Sequence, residues 1–411
     1  MNRRDFLKAG AMFSMSLMGV GLPGWAYGGT KTLEGKKLIV VFLRGAMDGL
    51  NVIVPYGDPR YYQNRPTIAI PPPGQKDGVL DLDSYFGMAP ALEPLMPYWK
   101  DKSLAFVHAC GSPEATRSHF DAQDYMESGR PGVKVVNSGW LNRVLTQLPE
   151  TNSPLRGINV GATLPRILQG PVDVASYTPQ IAGKRTAIDM PVVADAFGKM
   201  YKGRGDSLSR AFEEGLKANE MLTEKLSKEA VAADKGAPLA KSFKGFGQQL
   251  GKIFIDDPKV QVAFVALGGF DTHVNQGAGK GQLANQLTGL SNGLADLAAG
   301  LGDDFKNTVI VVMSEFGRTV KENGNGGTDH GHGNVMWVLG GNVGGGKVYG
   351  RLDELSEEKL YERRDVPVTT DFRTVISSIA QAHLNFSDSG LKNLFPDFAL
   401  NDKSLTGIIR S

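Results

Sequence analysis

Short apolar runs recur along the chain and predict the strands of a buried sheet. Four of them, at residues 37–43, 104–108, 262–267 and 308–313, are almost uninterrupted and rich in β-branched residues. A fifth run, at 335–339, follows the fourth closely. Continuous apolar runs of this length are typical of parallel strands that are covered on both faces.

Leucines spaced for one face of a helix lie between the third and fourth runs. Their spacing alternates between four and three residues, which predicts an amphipathic helix: Leu283, Leu287, Leu290, Leu294, Leu297 and Leu301. Strands that alternate with such helices favour a doubly wound α/β domain. Residues 205–255 are charged and alanine-rich, and they predict a helical insertion or cap beside the sheet, with a break at 236–238.

Each of the first four strands runs into a polar cluster. Because ligands bind at the carboxyl edge of open α/β sheets, we expect these distant segments to meet in one crevice. The clusters contain Arg44 and Asp48, then Thr116, Arg117, Ser118 and His119, then Asp271 and His273, and finally Ser314, Glu315 and Arg318.

Four of the six histidines lie in segments that also hold acids or hydroxyls. Asp271 and His273 are two residues apart and therefore on one side of an extended segment. The glycine-rich loop at 328–334 adds two more imidazoles. Mixed carboxylate and imidazole ligation suits zinc, manganese or iron. The candidate ligands are Asp48, Asp271, His273, Glu315 and one of His330 and His332, between which the sequence does not choose.

Several candidates also have a structural interpretation. A single loop acid such as Asp48 often serves as a turn or hydrogen-bonding residue. Glu315 is either a ligand or the partner of Arg318 in a salt bridge. Ser118 and Asp121 have the spacing of a helix capping box. A cap and a nucleophile are compatible roles, because a hydroxyl at a helix N-terminus faces the positive end of the helix dipole.

Composition and charge indicate a globular protein and exclude two classes, basic nucleic-acid-binding proteins and disulfide-stabilised scaffolds. The 411 residues are 41% hydrophobic, enough for a sizeable core, and carry a net charge of +2. All of that excess comes from residues 1–28, and the remainder balances at 42 basic against 42 acidic residues, so a basic nucleic-acid-binding protein is excluded. The only cysteine, Cys110, cannot form an intramolecular disulfide.

Residues 1–28 predict an export signal. A basic segment with Arg3 and Arg4 precedes a moderately apolar run at 9–22, and small residues follow. The paired arginines before Phe6 resemble a twin-arginine signal. The alternative is an uncleaved membrane anchor, but the apolar run is shorter than the roughly 20 residues that span a bilayer. We therefore expect a periplasmic protein that the twin-arginine machinery exports folded, with no membrane span after cleavage.

Five segments together resemble a known family: residues 44–51, 117–124, 269–273, 314–319 and 329–334. On them the chain is identified as a member of the domain of unknown function 1501 family, which is similar to the alkaline phosphatase and sulfatase superfamily. The resemblance implies a single three-layer αβα domain over residues 29–411. It also implies a mostly parallel sheet and two adjacent metal positions at its carboxyl edge.

The resemblance assigns roles by order along the chain. Asp48 stands for the acid after the first strand, and Ser118 or Thr116 for the nucleophile at a helix start. Asp271 and His273 stand for the ligands of one metal.

The second metal position departs from the superfamily pattern. Glu315 stands where the superfamily has an Asp-His pair, and His330 or His332 stands for the last histidine. Residues 314–317 replace the usual acid-histidine-glycine, so one position loses an imidazole. A single-metal or altered site is therefore an alternative.

These features predict a periplasmic hydrolase of phosphate or sulfate esters that uses one or two divalent ions, zinc or manganese first. Its substrate would be a small anionic ester, clamped by Arg117 or Arg318. The alternative is a non-catalytic exported binding or assembly protein that keeps the fold and a structural metal, and that acts through a protein partner.

Overall fold

The computed structural model describes residues 35–150, 155–161, 163–177, 233–400 and 404–410. The predicted export signal at 1–28 lies outside the described residues. So does the stretch 205–232 of the predicted helical insertion.

Within these described ranges the chain forms strands and helices in alternation. The strands are β1 Lys37–Leu43, β2 Ile53–Val54, β3 Leu80–Asp81, β4 Gly87–Met88, β5 Leu104–Gly111, β6 Gly157–Val160, β7 Ala175–Tyr177, β8 Val262–Leu267, β9 Thr308–Ser314, β10 Asn334–Gly340, β11 Lys347–Tyr349 and β12 Thr370–Asp371. The α-helices are α1 Pro59–Asn64, α2 Met96–Lys100, α3 His119–Ser128, α4 Trp140–Gln147, α5 Gly247–Asp256, α6 Gln282–Leu301, α7 Phe372–Ala382 and α8 Asp388–Leu394.

Short 3₁₀-helices connect several of these elements. They are Gly49–Asn51, Pro90–Leu95, Arg166–Leu168, Ala240–Gly245, Gly302–Asn307 and Glu357–Lys359. Of the predicted insertion, the described part holds one of these 3₁₀-helices and α5.

The central sheet has the strand order β11-β5-β10-β9-β1-β8-β6-β7, and β12 also pairs with β5. Its pairs are parallel except those of β10, which runs antiparallel to both β5 and β9. A small antiparallel sheet of β2, β4 and β3 lies apart from it. The predicted mixed α/β fold with a mostly parallel central sheet is confirmed.

The direction of β10 matters for the site. A parallel neighbour of β9 would need a crossover of a dozen or more residues, usually through a helix. The connection at 315–333 contains no α-helix, and it returns to the edge where β9 ends. The polar loop before β10 therefore shares an edge with the carboxyl ends of β1, β5 and β8.

Alternate residues of the central strands enter two separate hydrophobic cores. Ile39, Val41 and Leu43 of β1 pack on the side that carries α5 and α6, including the predicted leucine stripe. Leu38, Val40 and Phe42 pack on the side of α4, α7 and α8. Each strand is therefore covered on both faces, which explains its continuous apolar sequence. The helices on both sides give three layers.

No helix of the described chain is both long and apolar enough to cross a membrane.

Two buried histidines lie away from the polar edge clusters. The His108 ring accepts a hydrogen bond from the backbone N–H of Ala109 at Nδ1 (3.0 Å), and its Nε2 lies 3.1 Å from the carbonyl oxygen of Ile53. The His383 Nε2 lies 3.0 Å from the carbonyl oxygen of Lys37. Burial lowers the pKa of His108 and of His383 to about 4 each.

We predict that these histidines destabilise the fold in acid. The unfolded chain takes up a proton near pH 6.5, whereas the folded protein resists until about pH 4, so stability falls as the pH drops through that interval. His108→Gln keeps a donor for Ile53. Between about pH 7 and pH 4, the wild type should therefore lose about 3 kcal/mol more of its free energy of unfolding than the His108→Gln variant loses. Parallel stability curves in urea titrations would contradict this.

Candidate metal centre

Three imidazoles and one carboxylate converge at the carboxyl edge of the sheet. Asp271 and His273 follow β8, His119 opens α3, and His330 lies in the loop between β9 and β10. The Nε2 atom of His330 is 3.0 Å from Nε2 of His119 and 3.0 Å from Nε2 of His273. Oδ1 of Asp271 lies 2.9 Å, 3.4 Å and 3.7 Å from Nε2 of His273, His330 and His119.

These spacings suit donors that share one cation. Donors about 2.0–2.1 Å from a tetrahedral zinc ion lie roughly 3.3 Å from one another. Candidate ligand atoms of His119, Asp271 and His330 all lie within 4.8 Å of each other. His273 adjoins this group through its contacts with His330 and Asp271 and forms its solvent side, with 30% of its side chain exposed.

Each imidazole is oriented through its Nδ1 atom. Nδ1 of His119 lies 2.8 Å from Oε1 of Glu315, and Nδ1 of His330 lies 2.9 Å from the carbonyl oxygen of Arg117. Nδ1 of His273 lies 3.3 Å from Oδ1 of Asp329. A carbonyl or an ionised carboxylate only accepts, so each Nδ1 carries a proton, and each ring presents a bare Nε2 lone pair when it is neutral.

Bare lone pairs cannot hydrogen-bond to one another. The short Nε2 contacts of His330 are therefore satisfied by a cation or a shared proton between the rings, and Nε2 of His273 also lies 3.4 Å from the donor Nη1 of Arg318. An Nδ1–H bonded to a carboxylate or carbonyl, with Nε2 turned inward, is how proteins orient metal-ligating histidines. The residues present fit a divalent metal.

Asp271 supplies the negative charge of the centre. Its carboxylate is buried, its Oδ1 accepts a hydrogen bond from Arg318, and its Oδ2 has no hydrogen-bond partner among the described residues. Burial alone would raise the pKa of Asp271. Hydrogen bonds that the three histidines donate from Nε2 when their rings are protonated, together with the charge of Arg318, nevertheless hold that pKa well below its usual range. Asp271 Oδ2 is therefore an ionised oxygen available to a cation.

Protons compete for the same lone pairs. Burial would lower the pKa of His119, but the carboxylates of Asp271 and Glu315 outweigh burial and raise it to about 9. The hydrogen bond to Asp271 also raises the pKa of His273. Cation binding at this centre is accordingly expected to release protons.

Glu315 lies behind His119 rather than among the inward-facing groups. Its Oε1 accepts hydrogen bonds from His119, from the backbone N–H of Gly45 (2.8 Å) and from Nε2 of Gln123 (3.0 Å). Burial opposes its ionisation, but these donors, His119 foremost, lower the pKa of Glu315 to about 2. Glu315 thus orients His119 as an anion.

Gly45, which follows β1, allows the end of that strand to lie close to the backbone of Asp271. Its φ of +103° disfavours any residue with a side chain, and a Cβ at this position would lie 2.6 Å from the backbone nitrogen of Asp271. The end of β1 therefore lies directly against the segment that supplies the carboxylate.

Asp48 does not join the centre. It is fully buried and accepts hydrogen bonds from Nη1 and Nη2 of Arg65 at 2.5 Å and 3.0 Å. It also accepts one from Nε2 of Gln276 at 2.7 Å. Oε1 of Gln276 in turn accepts from the hydroxyls of Thr272 (2.7 Å) and Thr328 (3.0 Å). The Asp48–Arg65 pair therefore ties together the two loops that carry His273 and His330.

His332 also lies outside the centre, although it is only two residues from His330. Its ring is buried against Tyr361, with ring centroids 4.7 Å apart. Of the two loop histidines, the structure brings His330 to the other ligand candidates.

Arg318 and Arg117 contact the ligands in different ways. The buried Arg318 guanidinium bonds Asp271 and the carbonyl oxygens of several loop residues, which include Ala46 and Thr328. Arg117 directs its guanidinium to Glu362 (2.6 Å) and Asp365 (2.8 Å) and contributes only its carbonyl oxygen to His330. Arg318 thus positions the acid, whereas Arg117 positions an imidazole.

The two hydroxyl candidates, Thr116 and Ser118, lie three residues and one residue before His119. The Ser118 hydroxyl accepts the backbone N–H of Asp121 at 3.4 Å and caps α3, as the capping-box spacing predicts. The Thr116 hydroxyl accepts the backbone N–H of Ser118 at 3.2 Å. Both hydroxyls therefore have a local structural role beside the centre.

His119 is the one inward-facing group missing from the ligands expected from sequence. The available signal is its place among the four histidines in segments that also hold acids or hydroxyls, but the capping-box spacing of the neighbouring Ser118 indicates only a helix start. Its partner Glu315 is 196 residues away, so no local pattern shows that the ring is held for a cation.

The fold and site define an α/β protein with a histidine-rich candidate metal centre at its sheet edge. The chain belongs to the family described as Protein of unknown function (DUF1501), which matches residues 35–394. No curated protein matches the sequence significantly.

Two solved structures are distantly similar. Ps i-CgsB in complex with k-i-k-neocarrahexaose is 10% identical, covers 88% of this chain and 75% of its own, and has a TM-score of 0.41. The C-terminal periplasmic domain of EcEptC from Escherichia coli, in complex with Zn, is 11% identical, covers 75% and 73%, and has a TM-score of 0.36. Scores this low do not assign a function to this chain.

We predict that His330→Ala lowers metal content, whereas His332→Ala does not. The first change removes an inward-facing Nε2, and the second removes a ring that packs on Tyr361 in the same loop. Elemental analysis after dialysis should show His330→Ala with less than half of the bound metal of the wild type and His332→Ala near the wild type. Equal metal content in both variants would rule out His330 as a ligand.

We also predict that Glu315→Gln weakens metal binding about 10- to 100-fold, because the anion that orients His119 is lost. The matched control is Glu322→Gln in the same loop, whose carboxylate bonds Thr67 and Ile68 instead. Competition with a chelating dye measures both affinities. A Glu315→Gln affinity equal to that of the control would show that the carboxylate charge does not support the centre.

Proposed function

We propose that the chain is a metal-dependent hydrolase of phosphate or sulfate esters that acts in the periplasm after twin-arginine export. The observation that carries this proposal is the convergence of three Nε2 lone pairs and the Asp271 carboxylate at one edge of the sheet. The edge is open to solvent, since 30% of the His273 side chain and 58% of the Asp329 side chain are exposed. A small anionic ester is the matching substrate.

The cation would be held by His119, Asp271, His330 and, at the solvent side, His273. One or two divalent ions, zinc or manganese first, suit this donor set. Such an ion would supply Lewis-acid polarisation of an ester oxygen and offset the negative charge that develops during displacement. Glu315, the Arg117 carbonyl and Asp329 keep the three rings in the required tautomer, and Arg318 keeps Asp271 ionised.

Ser118 is the proposed nucleophile, with Thr116 as the second candidate. Ser118 lies next to His119, at the start of a ten-residue helix whose positive dipole end favours an anion. Its oxygen accepts one hydrogen bond, so capping occupies only part of its capacity. Arg117 is the proposed anion clamp, since 34% of its side chain is exposed, whereas Arg318 is buried among backbone carbonyls.

A non-catalytic exported binding or assembly protein with a structural metal is the second candidate function. The observation that favours it is that both guanidinium groups already have protein acceptors. Arg117 bonds Glu362 and Asp365, and Arg318 bonds Asp271. An anionic substrate would have to displace an acid from Arg117 before it could be clamped.

The test is hydrolysis by metal-loaded protein of a phosphomonoester, a phosphodiester and a sulfate ester. We expect turnover of at least one ester, its loss after metal removal, and a decrease of about 100-fold or more in kcat for Ser118→Ala. The matched control is Ser387→Ala, because the Ser387 hydroxyl caps α8 in the same way, 3.2 Å from the backbone nitrogen of Gly390.

Two results would count against the hydrolase. The first is no turnover of any of the three esters by protein that retains its metal. The second is equal activity of Ser118→Ala and Ser387→Ala, which would reduce Ser118 to a helix cap. If metal removal lowers only the melting temperature, the binding or assembly function is favoured.

A further inference from the structure

A second recess lies at the carboxyl edge of the sheet, beyond the residues that form the metal centre. It is a cavity of about 280 Å³ at the ends of β1, β8 and β6. Phe264 and Ala266 of β8 and Val160 of β6 form part of its wall, and the segment 235–238 closes another side. In open α/β sheets this edge is where ligands bind.

The charges around the cavity are mainly positive. Arg44, Arg166 and Lys235 line it, against one acid, Glu127. Both carboxylate oxygens of Glu127 already accept hydrogen bonds. Oε1 accepts one from Arg44 (2.7 Å) and Oε2 accepts one from the backbone N–H of Ile167 (3.1 Å). Among the residues that the structure describes, Arg166 pairs with Asp124, but no carboxylate forms an ion pair with Lys235.

Arg44 is held in place before any ligand arrives. Its side chain is 4% exposed, and its guanidinium bonds both Gln123 and Glu127, which lie one helical turn apart on α3. It also lies over the Phe42 ring, 5.4 Å from the centroid. A fixed guanidinium loses little conformational entropy when an anion binds beside it.

Much of the remaining wall is apolar. Leu164, Pro165 and Pro238 join Phe264 and Val160, whereas a site for a highly charged phosphate would need many more donors. Small-molecule sites typically combine such an apolar lining with a few placed polar groups. The combination therefore matches a ligand with an apolar body and a single negative charge.

We propose that this cavity binds a small organic monocarboxylate, whose carboxylate lies between Lys235 and Arg44 and whose apolar body lies against Phe264 and Val160. The proposal does not depend on hydrolase activity, because none of these residues belongs to the candidate metal centre.

Isothermal titration of the protein with benzoate, first with its metal in place and again after metal removal, tests the proposal. Benzamide is the neutral probe of nearly the same shape. We expect benzoate to bind with a Kd of about 1 mM or below and benzamide to bind at least about tenfold more weakly. Metal removal ensures that the carboxylate is not captured by a cation held by the histidines.

Two matched variants locate the binding. Lys235→Gln should weaken benzoate binding about tenfold, whereas Lys241→Gln, which removes an exposed lysine nearby but outside the cavity, should leave it unchanged. Because Lys235 is at the surface, the variant is expected to fold, which a thermal melt checks. Equal binding of benzoate and benzamide, equal affinity in both variants, or no benzoate binding by folded protein would each overturn the proposal.

Discussion

The short contacts that the Nε2 atom of His330 makes with the Nε2 atoms of His119 and His273 are the constraint on which the rest of this structure depends. Each ring is fixed from behind: His119 by Glu315, His330 by the Arg117 carbonyl, and His273 by Asp329. Because these oxygens accept from Nδ1, each neutral ring carries its lone pair on Nε2. The Nε2 lone pair of His330 then faces those of His119 and His273. Such an arrangement is stable when a cation lies between the rings, so the surrounding residues are best understood as a frame for that cation.

The frame is made largely of buried charge. Asp48 and Arg65 are both fully buried, and Arg44 and Glu127 are nearly so. Buried ion pairs add little net stability compared with apolar residues of the same volume, because both partners lose their hydration. Their benefit here is geometric. Through Gln276, the Asp48–Arg65 pair fixes Thr272, which lies between Asp271 and His273, and Thr328, which lies two residues before His330.

The sequence predicts an element correctly where interactions between residues close in the chain determine its structure. The apolar runs predicted the bounds of β1 and β8, and the leucine spacing predicted α6, because burial on both faces or on one helix face leaves a pattern within a few residues. The candidate site shows the limit of this. Asp271 and His273 are candidates because they follow a strand, and His330 because it lies in a glycine-rich loop.

Asp48 and His332 have equivalent positions in the sequence. Their partners Arg65 and Tyr361 lie elsewhere in the chain, so their roles become visible only in the folded structure. Nothing local encodes the reversed direction of β10.

That reversal has a consequence for how the protein can change. The loop between the antiparallel strands β9 and β10 begins and ends at the same edge of the sheet. It does not have to pass over a face of the sheet, so the helices that cover those faces do not set its length. In the loop between β9 and β10, the exposed residues 324–325 lie at the far tip, while Arg318 and His330 lie near its two stems. The Asn325 carbonyl accepts the backbone N–H of Asn275, so the position best suited to added residues is Gly324, which is exposed and has open space around it. The rim above the histidines can thus be reshaped during evolution while the sheet and the ligating groups stay as they are.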